Sequence, residues 1–584
     1  MTEEADVTEE TTETPKMKVS TVKLLWLMVL IVIQLASFFV GLQAPTVFGN
    51  AIGMAVVPLL VNILLVGTWF LTGGISFKMK CLWLLVYAGS IVFVFLTHTN
   101  GAELTLVSLT VLSTTMTLAY IISSKISPAT SKKFVLGSMA IVLVGFTALR
   151  VDDVVGVVPA VGWRWAPPLE LSADSWSGSA DRETPISLAK EIGANDWAEF
   201  RGPRRDNVVP NIHFAADWDE LPPAELWRTR VGVGFSSFSV VGDYMFTQEQ
   251  RGENEVIVCY EVGTGSQVWV NSIAGRFDDS HGDGPRATPT YLDGRVYSQC
   301  ATGVLLALDA ETGETVWQRD LKKDSGAAIP MWGFSSSPLL YKDSVIVFAG
   351  GSDDKSVVAY NKDDGEIKWM SGSGTHGYTS GHLVTISKVE QVLFGSNIGI
   401  QSFDPINGDV LWEHTWPINT NPRCVQPLML DETTVFLGTA GGMGTRKLHV
   451  TKNDNEWIVE EQWTTRKFRP YFNDFVHYDG HLYGYDGKRL KCINIETGKQ
   501  VWQAGNIGGQ VLLVPDMESL LVLSVKGKVM LVDASPEAYN VTGSFDALKG
   551  KTWNHPVIAG NKLIVRNSHE AACFELDMLA ESGD

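Results

Sequence analysis

The sequence predicts an all-β propeller of eight blades, preceded by an α-helical membrane domain of five transmembrane helices. Three observations predict it. Five apolar runs, each near the roughly 20 residues that cross a hydrocarbon core, fall within the first 150 of 584 positions. The charge changes sign behind them: residues 1–150 hold 7 acids and 9 bases, whereas residues 151–584 hold 58 acids and 37 bases, a net −21. A Gly-x-x-x-Trp element then recurs, with 39–52 residues between successive Trp positions, the spacing of four-stranded propeller blades. So acidic a globular part excludes nucleic acid as a partner, because phosphate binding needs a basic face.

Residues 1–22 are rich in Thr and Glu with few apolar side chains, and are expected to form a disordered cytoplasmic tail. The five-helix domain, 23–150, is built from the runs 24–42, 54–75, 81–97, 104–123 and 134–149. Lys16, Lys18 and Lys23 precede the first run, Lys78 and Lys80 the third, and Lys125, Lys132 and Lys133 the fifth, while loops 43–53 and 98–103 carry no Lys or Arg. That alternation places the N-terminus in the cytoplasm and everything after Arg150 outside it. The expected location is a bacterial inner membrane, with the lipid bilayer around the helices and the propeller in the periplasm. Ionisable residues are missing from the middle of the runs, which gives a transport or proton-relay role no support. Residues 151–194 are rich in Pro, Ser and Trp without a sustained period. They read as a juxtamembrane linker, with Trp163 and Trp165 at the interface and a short helix at 186–192. There is no CxxC or CxxCH; Cys259, Cys492 and Cys573 recur in short apolar strands (VIVCYE, RLKCINIE, AACFEL) and read as core residues.

The propeller is expected over 195–580. Its repeat element is Gly265/Trp269, Gly313/Trp317, Gly365/Trp369, Gly408/Trp412 and Gly498/Trp502, with Trp227 and Trp463 in the same place without the Gly. Each unit opens on a small-residue or Pro-containing start (RATPTYLDG, FSSSPLLYKD, NHPVIAGN) and runs through two apolar strands. A turn of the Asp-x-x-Thr-Gly type follows, where Gly takes the positive φ of a tight hairpin. The fourth strand begins beside the Trp, which puts the repeat Trp residues between blades, near the outer strands. Seven complete blades fit between about 235 and 546, and 553–577 supplies three strands of an eighth. The missing outer strand is ELWRTRV (225–231), expected to bury Leu226 and Trp227, to pair with 570–577 and so to remove the open edges of the ring.

The turn with its Trp resembles the tryptophan-docking repeat of the pyrroloquinoline-quinone (PQQ)-type eight-bladed propellers. That superfamily includes quinoprotein alcohol and glucose dehydrogenases and the non-catalytic lipoprotein BamB. The segments NDWAEFRGPRRDNV (195–208) and IPMWGFSSSPLL (329–340) resemble exported PQQ-like repeat proteins. The resemblance implies two functions. One is a binding or scaffolding module for protein or envelope-polymer partners, with no cofactor, no catalytic residue and no metal. The other is a PQQ-dependent membrane-bound sugar or alcohol dehydrogenase passing electrons to quinone, which requires PQQ, Ca²⁺ held by oxygen ligands, and an Asp base. The adjacent cysteine pair of many soluble members is missing, and eight blades use most of the 434 residues after Arg150. The binding module is therefore the favoured reading. HExxH, GxSxG and P-loop motifs are missing too, so hydrolase and nucleotide chemistry have no support.

Propellers bind ligands around the axial channel, at the ends of the inner strands. The residues just before those strands are the candidates: Arg286, Trp332, His376, Tyr378, Arg423, Asn473 and His555. Two readings stand for them, a defined ligand site or polar residues that satisfy one another along a wet channel. FDDSHGDGPR (277–286) and NKDDGE (361–366) have a faint look of cation loops and read as ordinary blade turns.

Overall fold

The computed structural model describes residues 21–42, 57–72, 77–97, 128–155, 158–163, 186–279, 281–418 and 423–579, with isolated positions at 111–118 and 165. The N-terminal tail, most of the 104–123 run and the linker positions 166–185 lie outside the described residues. The chain divides into two compact units, Met1–Leu169 and Glu170–Asp584.

The first unit holds helices Thr21–Leu42, Val57–Thr72, Phe77–Thr97 and Pro128–Thr147, which overlie four of the five apolar runs. Among the described residues no helix is long and apolar enough to cross a membrane, so five spans are not supported there. Apolar side chains lie on both faces of these helices, with Leu27, Leu30, Val61 and Leu65 buried alongside polar groups. Gln34, Asn62 and Ser90 are buried, and the Tyr87 hydroxyl donates to Asn62 Oδ1 at 2.8 Å. Leu60, Ile63, Leu85 and Ile141 face outward. The start of the linker is not irregular: Leu149–Val155 and Val158–Trp163 pair as an antiparallel hairpin.

The second unit is a propeller of eight four-stranded antiparallel sheets. Blades 1–7 span 239–274, 290–320, 339–371, 382–415, 428–465, 475–504 and 509–546. Blade 8 takes three strands from 557–575 and its outer strand, Ala224–Arg230, from the other end of the domain. The closure predicted from sequence is observed, with Trp227 opposite Cys573. Leu226 is 39 % exposed, not buried; the register shifts between Glu225 and Trp227, and a bulge at that point turns one residue out of the alternation. Second strands such as Ser344–Gly351 are buried along their whole length, whereas outer strands such as Thr315–Asp320 are mostly exposed. This is the difference between a strand sandwiched by neighbouring blades and one at a sheet edge.

The seams between blades are set by the repeat Trp residues. Where the following blade carries the turn glycine, the Trp packs its ring on it. A Cβ on Gly265, Gly313, Gly365, Gly408 or Gly498 would lie 2.5–2.9 Å from the preceding Trp ring, and all five have positive φ. Glycine is thus required twice over, by conformation and by contact. The indole N–H of Trp227, Trp269, Trp317, Trp463 and Trp502 donates to a carbonyl of the next blade at 2.6–3.0 Å.

Two repeat tryptophans depart from this uniform docking. Trp369 is buried and rests on Gly408 at the expected contact, yet its Nε1 has no hydrogen-bond partner. In the other glycine turns of this type the accepting residue stands three before the Gly: Val262, Ala310, Lys362 and Ile495. Each of those four also ties the turn down through its own backbone N–H, to Asp243 O, Gly294 O, Asp343 O and Gly480 O. Pro405 holds that place in blade 4, and a proline has no N–H to give. The turn that faces Trp369 therefore lacks the bond that fixes the accepting carbonyl in the others. Trp412 faces blade 5, whose turn carries Asp454 and Asn455 in place of the Thr-Gly, and its N–H turns back to Gln391 Oε1 of its own blade.

No helix forms at 186–192. The backbone there is engaged by the propeller instead: Leu188 N–H donates to Glu311 Oε1 and Ala189 O accepts from the Tyr291 hydroxyl. Beyond it, 195–209 crosses the propeller axis. Trp197 pairs with Val240 of blade 1, Ala198 O accepts from Tyr291 of blade 2, and Arg205 donates to Ser337 O and Pro338 O at the start of blade 3. Arg201 meets Asp474 beside blade 6 at 3.0 Å, and Asn207 and Val209 bond Leu513 of blade 7. A run of 13 residues reaches both halves of the ring only by passing through its centre. Arg201 and Arg205 are 2 % and 4 % exposed, so the channel is closed by a segment whose charges are paired.

Candidate functional site: the axial pocket

Closed from within by this segment, the axial channel leaves a cavity of about 160 Å³, with Phe200 of the crossing segment in its wall. The rest of the lining obeys the eightfold repeat. The chain enters each inner strand through a short extended stretch, and residues two apart point to the same side. One position gives Ser237, Thr288, Ser337, Ser380, Gln426, Asp474, Gln510 and His555 in blades 1 to 8, and all eight line the cavity. Two residues earlier stand Phe235, Arg286, Ser335, Tyr378, Cys424, Phe472, Gly508 and Trp553, of which only Gly508 does not.

The first set forms a hydrogen-bonded ring. Ser237 N–H donates to Thr288 Oγ1, Thr288 N–H to Ser337 Oγ and Ser337 N–H to Ser380 Oγ, at 2.9–3.1 Å. Ser380 N–H donates to Gln426 Oε1 and Gln426 N–H to Asp474 Oδ1. Gln510 Nε2 to Trp553 O, and Ser237 Oγ to His555 O, carry the ring through blades 7, 8 and 1. In five cases, at Thr288, Ser337, Ser380, Gln426 and Asp474, the side chain thus satisfies a buried N–H of the preceding blade. The hydroxyls of Thr288, Ser337 and Ser380 accept these bonds and donate none, though each residue is at most 2 % exposed.

Above the ring lies an aromatic collar. Trp332 stacks on Tyr378 at 5.3 Å and meets Tyr471 edge-on at 5.9 Å; Tyr471 adjoins Phe472, Phe472 adjoins Trp553 at 4.8 Å, and Trp553 adjoins Phe235. His281, against Trp332, and Arg286, over Phe235, complete the circle. Among the described residues, Trp332 Nε1 and Gln510 Oε1 have no hydrogen-bond partner.

The seven residues named from sequence divide by register. Arg286, Trp332, Tyr378 and His555 line the cavity. Arg423 and Asn473 do not: each is one residue away from a lining position, and the alternation turns it into the seam. Arg423 donates to Ser396 O and Trp416 O, and Asn473 to Gly509 O. His376 stands behind the wall, its Nε2 3.3 Å from the Tyr378 hydroxyl. Sequence reasoning misses Phe235, Tyr471, Phe472, Trp553 and the hydroxyl ring. Their signal is the two-residue alternation in the Pro-containing starts, visible once the eight starts are aligned on the ring position.

The pocket is electrically quiet. Burial pushes the His555 imidazole down to about 4, so it is neutral at pH 7. Burial likewise lowers His376, raises the Tyr378 hydroxyl and the Cys424 thiol, and brings Arg423 down to about 10. Arg286 is held by Gly282 O and Gly284 O, between Phe235 and Phe277, with Asp279 at 3.5 Å. The 277–286 segment is thus a loop closed on its own arginine, and 361–366 is the docking turn of blade 3.

A quinone with a bound divalent cation needs uncommitted oxygen ligands. Asp474 is the carboxylate that lines the cavity; Oδ1 accepts from Gln426 N–H and Oδ2 faces Arg201. No group of three or more His, Cys, Asp or Glu able to hold a metal occurs among the described residues. The lining does not fit a PQQ–Ca²⁺ pair.

Sequence comparison agrees with the architecture. The family described as outer membrane protein assembly factor BamB matches residues 220–329 and 253–486. The quinoprotein alcohol dehydrogenase PedH of Pseudomonas putida is 29 % identical over 153 residues, 25 % of this chain and 24 % of that one. This chain therefore spans about a quarter of that enzyme's length. BamB of Yersinia pestis is 20 % identical over 370 residues, 60 % of this chain and 87 % of its own. The crystal structure of quinohemoprotein alcohol dehydrogenase from Comamonas testosteroni aligns with 68 % of this chain and 82 % of its own, at 13 % identity and a TM-score of 0.48. The chain is an eight-bladed propeller protein similar in sequence both to the BamB assembly factors and to quinoprotein alcohol dehydrogenases.

Proposed function

We propose that the propeller is a binding module whose axial pocket receives one ring-sized group, the aromatic side chain of a protein partner, and that it works without PQQ or a metal. The aromatic collar over a ring of donor-bearing hydroxyls is the observation that supports this most directly. At about 160 Å³ the cavity matches the engineered ~150 Å³ cavities that admit a single benzene. Aromatic anchors of this size, seated in a dry pocket, dominate many protein interfaces. BamB, the relative matched over most of its length, is named an outer membrane protein assembly factor, which agrees with a protein partner.

The location is a proposal as well: the N-terminal helices anchor the chain in a bacterial inner membrane, with the propeller on the periplasmic side. Polar groups buried between helices whose outer faces are apolar support it, together with the alternation of lysines in the loops.

Titrating the full-length chain with N-acetyl-tyrosinamide should give saturable quenching of Trp fluorescence, lost in Trp553→Ala. If only a methyl pyranoside saturates the site, the partner is an envelope polymer and not a protein. The enzymatic alternative, a PQQ-dependent sugar or alcohol dehydrogenase, draws on the stretch shared with PedH. Chelator-sensitive PQQ binding with dye-linked oxidation of sugars or alcohols would establish it and overturn the present reading.

A further inference from the structure

A second cavity lies on the side of the propeller, in the seam between blades 5 and 6. It is a groove of about 780 Å³. Arg466, Lys467, Arg469, Lys491 and Lys499 line it, with Thr and Gln residues and no carboxylate. In a part of the chain where acids outnumber bases 58 to 37, composition alone predicts the opposite. Some surface cations elsewhere have a carboxylate of their own, as in Arg295–Asp363, Lys368–Asp343 and Lys562–Glu575. Here Arg469 and Lys491 share Asp486, at 3.4 and 2.8 Å, and among the described residues Arg466, Lys467 and Lys499 have no carboxylate partner. Beside them the outer strand Gln500–Ala504 is paired on one side only, and Gln500 and Gln503 line the groove from it.

We propose that this groove binds an extended acidic polypeptide segment, laid along the free edge of blade 6 with its carboxylates on Arg466, Lys467 and Lys499. An open sheet edge supplies main-chain donors and acceptors for an added strand, and the cations select one rich in Asp or Glu. The recess favours a peptide over an anionic membrane. Lys491, at the wall, is only 6 % exposed, within reach of an entering chain but not of a flat headgroup surface. The surrounding charge of −21 repels a long polyphosphate, whereas a short segment keeps its few charges inside the groove.

The test measures fluorescence anisotropy of a labelled alternating Glu-Val decapeptide with the full-length chain. Saturable binding is expected that weakens about tenfold or more in the triple variant Arg466→Ala, Lys467→Ala, Lys499→Ala, and also when salt is raised from low to several hundred millimolar. The three side chains are exposed, so the variant should unfold at the wild-type temperature and bind N-acetyl-tyrosinamide as before, which separates this groove from the axial pocket. Equal peptide binding by wild type and variant, or equal binding of a Lys-Val peptide, overturns the proposal. So does binding of phosphatidylglycerol vesicles that the triple variant abolishes while the peptide fails to bind.

Discussion

Two sets of aromatic residues in this propeller have the same chemistry and opposite roles. The seam tryptophans repeat at one position per blade, rest on a glycine wherever the turn supplies one, and in five cases give their N–H to the next blade. The mouth aromatics differ from blade to blade, touch one another in a circle, and leave Trp332 Nε1 without a partner. Trp369 also keeps a spare N–H, but its ring is packed on Gly408 in a seam and is not part of the axial lining. The first set is committed to holding blades together. The second set lines a cavity, which is where a ligand can be received. In a repeat protein, regularity marks the scaffold, and departures from it that open into a cavity mark the site.

The comparison breaks most severely at the docking glycines. Gly313→Val places a branched side chain at φ +76°, with its Cβ 2.6 Å from the Trp269 ring. Left-handed strain and overpacking each cost about 1–3 kcal/mol, so a loss of about 3–5 kcal/mol is expected in denaturant unfolding. A loss below about 1 kcal/mol would mean that the Trp–Gly contact does not set the seam.

That periodicity is also why the scaffold is legible in the sequence and the site less so. Gly265 to Trp502 repeat, so blade number, strand order and the closure by 225–231 follow from one sequence. The spare N–H of Trp369 does not, because the repeat motif constrains the glycine and the indole but not the residue that accepts from it. The pocket needs a finer register. Arg286 and Tyr378 are found because they fall on lining positions, whereas Arg423 and Asn473, one residue off, look equally suitable until the alternation is known. The crossing of 195–209 has no sequence signal: its contacts to blades 1, 2, 3, 6 and 7 come from position in three dimensions. A helix at 186–192 fails because bonds to Glu311 and Tyr291 override a local helix preference.

Acid distinguishes the closed centre of the ring from its outer seams. His382, at the first strand of blade 4, is 6 % exposed and lies near Arg201 and Arg205 of the crossing segment. Burial, with those arginines adding to it, pushes its imidazole down to about 4. Its folded pKa lies below the unfolded value of about 6.5, so below that value the unfolded state binds the extra proton. Stability is therefore fully present above pH 6.5 and falls as pH drops toward 4, by about 3 kcal/mol at about 1.36 kcal/mol per unit. In His382→Gln the loss across that window should shrink by about that amount, measured by urea unfolding at pH 7 and pH 4.5. An unchanged pH slope would show that the histidine is solvated.

The mildest change gives the sharpest contrast, because one substitution can be made in both sets. Trp269→Phe removes an indole N–H that donates to Ala310 O at 3.0 Å and thins the contact on Gly313. A buried carbonyl then loses its donor, which costs about 1–3 kcal/mol, with ring binding in the axial pocket unchanged. Trp332→Phe removes the same N–H where it bonds to nothing, and a six-membered ring still stacks on Tyr378. Its stability should fall by less than that of Trp269→Phe, because no hydrogen bond is lost and only the contacts with His281 and Tyr471 are thinned. Its affinity for N-acetyl-tyrosinamide should fall about threefold to tenfold, the worth of one neutral hydrogen bond of about 0.5–1.5 kcal/mol. Equal stability losses in the two variants would show that Trp332 is bound into the scaffold like its seam counterparts, and unchanged affinity would show that its N–H does not face the ligand.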